Sequence, residues 1–464
     1  MSSINLERTC DATANSGYSN KWTFSAWVKR GLIGTEQGLF GNKRPDDNNN
    51  SRFRLRIKST DRLCWEIKDS SGNDDSSFET NMLLRDVGAW FHVVFIFDSN
   101  NSTESERMKC YINGKDVRTE LGGFSSVNET GSGFGSLWSS SIKNYLGVTH
   151  DASGNPYRWD GLMSHVHFTY GYRYEASTFG STDSTTGEWK INVDPSVTYG
   201  SQGFWLFKDN AAVTDQSGEG NDFTLNNGTL TATKDNPSNN FATLNNTSIT
   251  LQGTATYAHG NTIYKCSSSN WGSAVSTIMP NSGKWYFESQ VTDNDGQKFM
   301  MGICDLDNNP EFFWQSHPYL GYRGYSYYGD GKYLGTNSSG THNSDLDTSL
   351  TQTNNNDVIG MAVDLDNKKL YTHINGTYLT YGGGTQNPST SSYGLDIQYG
   401  ITGGNVCFGV SSRENYNIYA NFGNGVFRET ALTGTTYQDS KSRGIFKHQP
   451  PTNFLALCTS NLNE

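Results

Sequence analysis

Residues 357–379, DVIGMAVDLDNKKLYTHINGTYL, constrain the fold of this chain more than any other stretch. An apolar run over residues 358–365 ends in polar residues, and residues 370–374 then alternate between apolar and polar side chains. Such alternation predicts a β-strand with one face in a core and the other in solvent. The pair Asn375-Gly376 follows, and because both residues tolerate positive φ, it predicts a tight two-residue hairpin.

The same plan occurs in the first half of the chain. Residues 90–98, WFHVVFIFD, form an apolar run that ends in Asp, and residues 108–112 lead into Asn113-Gly114. Pro and Asn cluster at residues 235–240, which indicates a domain boundary. We therefore predict an all-β protein with two antiparallel β-sandwich domains of jelly-roll type in tandem, spanning residues 1–235 and 236–464.

The charge balance disfavours several classes of partner. The net charge is −11 and only 17% of the 464 residues are charged, whereas nucleic-acid affinity depends on Lys and Arg. The basic residues of the segment 52–58, RFRLRIK, fall at alternate positions, which predicts one solvated strand face. No run approaches the ~18 apolar residues of a membrane span. We expect no nucleic-acid partner and no membrane insertion.

The seven cysteines are odd in number and occur singly, without the spacing of metal ligands. Several lie inside apolar strands, where Cys acts as a small hydrophobe. We therefore expect reduced thiols and folding in a cytoplasm, and the amino-terminal residues contain no apolar signal core.

Four segments in each half carry a resemblance to a known family. The first half resembles a laminin-G-like, concanavalin-A-like lectin/glucanase sandwich in WTFSAWVKR from Trp22, WFHVVFIFD from Trp90, KCYING from Lys109 and WDGLMSHVHF from Trp159. The second half resembles a SPRY-like sandwich in SGKWYFESQV from Ser282, MGICD from Met301, DVIGMAVDLDNKKLYTHING from Asp357 and ANFGNG from Ala420. The SPRY resemblance implies a binding module.

Three further segments look like recurrent joints in structural proteins of tailed bacteriophages. They are TDQSGEGNDFT from Thr214, DNPSNNFATLN from Asp235 and PPTNFLALCTSNL from Pro450. The resemblance implies a virion surface protein of the tail-fibre, receptor-binding or capsid-decoration type, folded in the host cytoplasm. The partners it implies are other virion structural proteins and host surface carbohydrate or protein, with assembly as a homo-oligomer.

Catalysis and metal binding find little support in the sequence. Glucanase chemistry needs two carboxylates that flank the scissile bond, but strands 90–98 and 284–291 each carry only one acidic residue. The loops 305–309 and 364–367 contain the oxygen ligands that Ca²⁺ prefers, without the twelve-residue motif. Hairpin turns account for such residues, so we predict no enzyme and no cofactor, with Ca²⁺ possible but not supported by a matching motif.

Residues 305–334 are the richest candidate for contact with a ligand or partner. Aromatic side chains offer flat apolar faces, and Tyr and Trp add a polar tip, while the glycines between them would let the rings project from loops. Packing in the core is the alternative. The residues predicted to contact a ligand or partner are Trp314, Tyr319, Tyr322, Tyr325, Tyr327, Tyr328 and Tyr333.

Three functional hypotheses follow from these observations. The first is a display and recognition protein on a phage particle that binds host envelope glycan or protein. The second is a purely structural capsid-decoration or tail-adaptor protein that contacts only virion subunits. The third is a polysaccharide depolymerase, which the missing carboxylate pair disfavours.

Overall fold

The computed structural model confirms the all-β prediction. It describes residues 4–10, 20–43, 52–68, 74–128, 142–151, 153–247, 255–267, 269–292, 297–307, 319–320, 322 and 324–462. Within these ranges, helical structure is limited to 3₁₀ turns at Glu104–Glu106 and Ala176–Thr178 and one short helix, α1, at Thr459–Leu462. The chain divides into two compact units, Met1–Ala232 and Thr233–Glu464, where the sequence predicts a boundary at residues 235 and 236.

The first unit is a sandwich of antiparallel strands. In chain order, its strands are β1 (Asn5–Thr9), β2 (Lys21–Arg30), β3 (Gln37–Lys43), β4 (Arg52–Ile57), β5 (Leu63–Lys68), β6 (Asp74–Thr80), β7 (Phe91–Asp98), β8 (Met108–Ile112), β9 (Lys115–Asp116), β10 (Phe124–Asn128), β11 (Lys143–Leu146), β12 (Val148–His150), β13 (Pro156–Arg158), β14 (Gly161–Tyr170), β15 (Gly180–Thr182), β16 (Trp189–Ile191), β17 (Phe204–Leu206) and β18 (Thr224–Asn226). One sheet has the order β10-β6-β5-β4-β3-β11-β1-β18, and the other has the order β17-β14-β2-β7-β8-β9.

The two sheets of the first unit enclose an aromatic core. Trp22 lies at its centre and is fully buried, and its ring contacts those of Phe53, Trp65, Phe95 and others. Alternate residues of β2 and β7 point into this core, as the period of two predicts for a sandwich strand.

The second unit is also a two-sheet structure. In chain order, its strands are β19 (Ala255–Ala258), β20 (Ile263–Cys266), β21 (Gly272–Val275), β22 (Lys284–Thr292), β23 (Phe299–Asp305), β24 (Gly324–Tyr328), β25 (Lys332–Gly335), β26 (Ser344–Asp347), β27 (Val358–Asp364), β28 (Lys369–Ile374), β29 (Thr377–Tyr378), β30 (Thr380–Tyr381), β31 (Gly384–Thr385), β32 (Leu395–Asp396), β33 (Val406–Ser412), β34 (Asn417–Asn421), β35 (Val426–Phe427), β36 (Thr430–Ala431) and β37 (Leu455–Ala456). One sheet follows the path β19-β20-β34-β22-β27-β28-β29, with β32 and β37 beside it. The other has the order β21-β33-β23-β24-β25-β26.

Both predicted Asn-Gly hairpins are confirmed. Asn375 and Gly376 have φ values of 51° and 85°, and Asn113 and Gly114 have 49° and 75°. Each Asn side chain also accepts a hydrogen bond from the first part of the long neighbouring strand, at 2.9 Å from the Val358 amide and 2.8 Å from the His92 amide. The two turns therefore fasten β28 to β27 and β8 to β7 in the same way.

We expect replacement of either hairpin Asn to destabilise its own unit alone. In Asn375→Ala, the left-handed backbone is less tolerated and the partly buried Val358 amide loses its acceptor, at a combined cost of about 2 kcal/mol. Asn113→Ala is the matched variant in the other unit. Hydrogen exchange of β27 and of β7, measured in both variants, should show loss of protection only in the unit that carries the change. Loss in both units would contradict the independence of the two cores.

The prediction that one face of residues 370–374 lies in solvent is wrong. The face that carries Tyr371 and His373 is not solvated, since both side chains are at most 1% exposed. The carboxy-terminal part of the chain covers this face, and Phe446 and Phe454 pack with Tyr371 in one buried cluster. The strand is therefore buried on both faces, as expected of a central strand that another segment covers.

The prediction of a solvated basic face at residues 52–58 is also wrong. Arg52, Arg54 and Arg56 are only 5–8% exposed. Glu66 on β5 accepts hydrogen bonds of 2.7 Å from Arg54 Nε and from Arg56 Nη2. Burial opposes the charge on Glu66, but the two guanidinium groups outweigh it and hold the pKa of this carboxyl below its ordinary value.

Candidate functional site

Three of the predicted contact residues belong to the core of the second unit. Tyr325, Tyr327 and Tyr333 are fully buried, so the prediction that they contact a ligand or partner is wrong. Their hydroxyls donate to acceptors within the same unit, namely the Thr336 carbonyl at 2.9 Å, the Thr351 carbonyl at 2.6 Å and Gln386 Oε1 at 3.2 Å. Each ring is thus packed and each polar tip is satisfied inside the unit.

Strand alternation explains which tyrosines are inside. On β24, Tyr325 and Tyr327 point to the core, so Ser326 and Tyr328 point to the outer face. Tyr328, Tyr319 and Tyr322 are only half-buried and stay available for contact. Trp314 lies outside the described residues.

The outer face of the β21–β26 sheet contains an open groove of about 220 Å³. We call it the aromatic groove. Its lining residues are Trp271, Met300, Tyr319, Tyr328, Lys332, Leu334, Asn343 and Asp345.

Sheet register builds the floor of the aromatic groove. Met300, Tyr328 and Lys332 are directly opposed across β23, β24 and β25. One step further along, Leu334 on β25 opposes Asp345 on β26. Met300 and Leu334 are buried, at 2% and 7% exposed. The groove therefore has an apolar floor with polar and aromatic groups at its rim.

Three aromatic rings form the wall of the groove. The Trp271 ring centroid lies 5.5 Å from that of Tyr328 with the planes at 79°, and 6.0 Å from that of Tyr319 with the planes at 54°. These are the edge and tilted contacts that aromatic pairs favour. The Arg413 guanidinium lies 5.2 Å from the Trp271 centroid, a cation–π contact that holds the indole in place.

The polar groups at the rim include both signs of charge and several hydrogen-bonding types. Asn343 and Asp345 are exposed and Lys332 is partly exposed, with its ammonium 3.2 Å from Asp330 Oδ2. Burial raises the pKa of the Tyr319 and Tyr328 hydroxyls, so both stay protonated at neutral pH and can donate as well as accept. The groove therefore presents apolar surface beside hydrogen-bond donors and acceptors.

Sequence reasoning missed Trp271, Lys332, Asn343 and Asp345. Trp271 follows the polar run SSSN and immediately precedes β21. A large aromatic side chain between a polar run and a strand indicates a surface position, and this was the signal in the sequence that could have identified Trp271. The other three could be found only from the register of β24, β25 and β26, which the sequence does not specify.

The oxygen-rich loops are held by hydrogen bonds within the unit. Asp305 Oδ2 accepts from the amides of Thr402 and Gly403 at 3.2 Å each, and Asp364 accepts from the Asn367 amide at 2.9 Å and lies 2.9 Å from the Lys284 ammonium. Among the residues that the structure describes, no three His, Cys, Asp or Glu side chains form a group that could hold a metal ion.

In one buried Ser–His pair, the hydrogen bond runs from histidine to serine, which is the wrong direction for activation of the serine. His92 Nε2 lies 2.8 Å from Ser25 Oγ, but the Trp189 indole donates to His92 Nδ1 at 3.1 Å. Because an indole N–H can only donate, Nδ1 carries no proton and Nε2–H donates to the serine. The imidazole is fully buried and burial lowers its pKa to about 3, so it cannot take a proton from Ser25.

Part of the first unit matches a superfamily of lectins and glucanases in sequence. Residues 8–176 match the family described as the concanavalin A-like lectin/glucanases superfamily. The lectin-like content predicted for the first domain is thereby confirmed. A search of curated proteins finds no match to the chain.

The chain is also similar to several solved structures. With the SPRY domain of human HERC1 it shares 12% identity, with 36% of this chain and 91% of that chain covered and a TM-score of 0.26. With a putative carbohydrate binding protein from Bacteroides ovatus it shares 14% identity, with 49% of this chain and 60% of that chain covered and a TM-score of 0.29. With the Ruminococcus gnavus IT-sialidase CBM40 bound to alpha2,3 sialyllactose it shares 16% identity, with 37% of this chain and 89% of that chain covered and a TM-score of 0.27. TM-scores this low carry no argument about this chain. Across the described parts of the chain, no helix has the length and apolar character needed to cross a membrane.

Proposed function

We propose that this protein is a recognition protein on the surface of a tailed-phage particle and that it binds host envelope carbohydrate through the aromatic groove. The groove is the observation that carries the carbohydrate proposal. Its rings, amide and charged groups surround an apolar floor, and a sugar needs apolar contact for its ring faces and hydrogen bonds for its hydroxyls.

The first unit supports the same class of function, because its sequence matches a lectin-containing superfamily. The phage assignment rests on the resemblance of residues 214–224, 235–245 and 450–462 to joints in tailed-phage structural proteins. The proposed location is the virion surface, after folding in the host cytoplasm.

We also propose that the protein binds without catalysis and assembles with virion proteins and further copies of itself. Tyr393 and Tyr399 support such contacts, since they are 49% and 44% exposed on loops either side of β32. Large exposed aromatic side chains are enriched at protein interfaces. Both lie outside the lining of the aromatic groove.

Replacing Trp271 with alanine is expected to weaken carbohydrate binding about tenfold, since an aromatic contact and the ring positions that depend on it contribute on the order of 1.4 kcal/mol. Tyr328→Ala should have a similar effect. The measurement is binding of the full chain to an array of bacterial surface polysaccharides, followed by affinity determination on the captured polysaccharide.

Leu462→Ala is the control, because it removes an apolar side chain of the same unit that is 43% exposed and lies outside the groove, so it should leave the affinity unchanged. Circular dichroism of each variant checks folding. If the wild-type chain captures no polysaccharide, the carbohydrate proposal fails and the purely structural hypothesis is favoured. If binding persists in both groove variants, carbohydrate binds elsewhere.

A further inference from the structure

The aromatic groove continues into a longer row of rings. The row runs from Tyr328 through Trp271, Tyr319 and Tyr322 to His342. Successive ring centroids are 5.5, 6.0, 6.3 and 6.3 Å apart. Tyr322 and His342 do not line the groove itself, so the row extends the aromatic surface beyond it.

All five rings of this row reach the surface. Trp271, Tyr319, Tyr322 and Tyr328 are half-buried and His342 is exposed. They differ in this from Tyr325, Tyr327 and Tyr333, which complete the core on the other face of the same sheet. An aromatic row that the core does not need is surface available to a ligand.

The distal end of the row is fixed by hydrogen bonds. His342 Nδ1 lies 3.0 Å from the hydroxyl of Thr336, which is buried next to the end of β25. Asn337 Oδ1 accepts from the amides of Ser339 and Thr341 at 3.0 Å each. Because the loop that presents His342 is held in this way, little conformational entropy is lost when a ligand binds there.

We infer that this row binds an extended oligosaccharide, several sugar units long, and not a single terminal sugar. The inference rests on the proposed carbohydrate function. Each step between neighbouring ring centroids is 5.5–6.3 Å, which is the contact distance of two packed rings. One sugar unit, itself a six-membered ring, therefore covers no more than two neighbouring side chains. Five rings in succession therefore suit a chain of sugar units, with Trp271 and Tyr328 at one end and Tyr322 and His342 at the other.

The charge of the groove favours a carbohydrate whose units are mostly uncharged. The lining contains one cation, Lys332, and one anion, Asp345. Lys332 is already paired with Asp330, and Arg413, which contacts the Trp271 ring, lies 3.7 Å from Glu414. A strongly acidic chain would meet Asp345 and Asp330 without a surplus of cations to offset them. Hydroxyl-rich neutral units can use Asn343 and the tyrosine hydroxyls as donors and acceptors.

The inference is tested with oligosaccharides of defined length. The polysaccharide that the array captures is partly hydrolysed with acid and separated into fractions of two to six units. The wild-type chain should bind the six-unit fraction at least about tenfold more tightly than the two-unit fraction, since a longer chain reaches further aromatic contacts. Equal affinity for both fractions would overturn the inference and leave the carbohydrate proposal standing.

Two variants separate the ends of the row. Trp271→Ala should weaken binding of both fractions. Tyr322→Ala should weaken binding of the six-unit fraction about fivefold and leave the two-unit fraction unchanged, because a short ligand does not span the row. An equal effect of Tyr322→Ala on both fractions contradicts the assignment of this ring to a distal position. Failure of the wild-type chain to capture any polysaccharide instead refutes the proposed function on which the inference rests.

Discussion

Replacing Glu288 with alanine is expected to lower the free energy of unfolding of the second unit by about 5 kcal/mol. The carboxylate is fully buried on β22 and accepts four hydrogen bonds. The donors are the amides of Lys447 and His448 at 2.8 and 2.7 Å, the Tyr286 hydroxyl at 3.0 Å and the Asn421 side-chain amide at 3.2 Å. Alanine leaves these buried donors without an acceptor, at about 1–3 kcal/mol each where water cannot replace it.

The proton positions around Glu288 follow from one backbone amide. The Gly376 N–H, at the Asn-Gly hairpin, donates to His373 Nδ1 at 3.1 Å. His373 Nε2 therefore carries the proton of the neutral imidazole and donates to the Tyr286 oxygen at 2.7 Å. The Tyr286 hydroxyl is left to donate to Glu288. The hairpin, β22 and the carboxy-terminal segment are thus joined by hydrogen bonds that converge on Glu288.

The effect of Glu288→Ala should be local to the segments that its hydrogen bonds join. Hydrogen exchange should show the earliest loss of protection at residues 444–458, because Lys447 and His448 lose their acceptor. Urea unfolding measures the total loss. Glu429→Ala is the matched control, since its carboxylate lies at the surface of the same unit with a side chain 67% exposed, and such changes stay within about 0.5 kcal/mol. Comparable losses in the two variants would contradict the role assigned to Glu288.

The same carboxyl makes stability depend on pH. Burial raises the pKa of Glu288 from 4.5 to about 7 against the opposing effect of its four donors. Between these values the folded chain binds a proton that the unfolded chain has released, so its stabilising contribution is present below pH 4.5 and is lost as pH rises through 7. The loss is on the order of 3 kcal/mol. His373, whose pKa burial lowers to about 3, acts in the opposite direction.

Comparison with Glu288→Gln isolates the Glu288 contribution, because His373 is retained in both proteins. The stability of the wild type relative to this variant should decrease between pH 5 and pH 8. A difference that stays constant over this range would show that Glu288 does not change its protonation state there.

The elements predicted best from the sequence are those whose conformation depends on residues adjacent in the sequence. The pairs Asn113-Gly114 and Asn375-Gly376 have few conformations open to them other than a tight turn, and both turns are confirmed. Alternation along β24 also contained the information that separates Tyr325 and Tyr327 from Tyr328. The sequence prediction grouped these tyrosines by density along the chain instead of by strand face, which is why three buried residues were assigned to the candidate site.

The features that were missed depend on segments distant in the sequence. The face of Tyr371 and His373 reads as solvated until Phe446 and Phe454 cover it, and nothing near residues 370–374 encodes that cover. Likewise, basic residues alternate along β4, but after folding Glu66 on β5 accepts hydrogen bonds from two of them, Arg54 and Arg56. Trp271 joins the candidate site only because β21 and β24 belong to one sheet.

Trp22→Ala is expected to lower the free energy of unfolding of the first unit by about 4 kcal/mol, within the range for removal of a buried aromatic side chain. Trp22 is fully buried, and five rings surround it with centroids at most 5.9 Å away. They are those of Phe53, Trp65, Phe95, Phe97 and Phe168. Because rings from both sheets meet here, the cavity cannot close unless one sheet moves.

The comparison of Trp22→Ala with Trp22→Phe shows whether the loss of stability comes from the missing packed volume or from the absence of the indole ring itself. Phenylalanine keeps an aromatic ring among the five neighbours, so the loss should fall to about 1–2 kcal/mol. Hydrogen exchange should show reduced protection in β7, whose Phe95 and Phe97 contact Trp22, and unchanged protection in β27 of the second unit, which has a separate hydrophobic core. An equal loss for alanine and phenylalanine would mean that the indole itself, and not the packed volume, stabilises the centre of this sandwich.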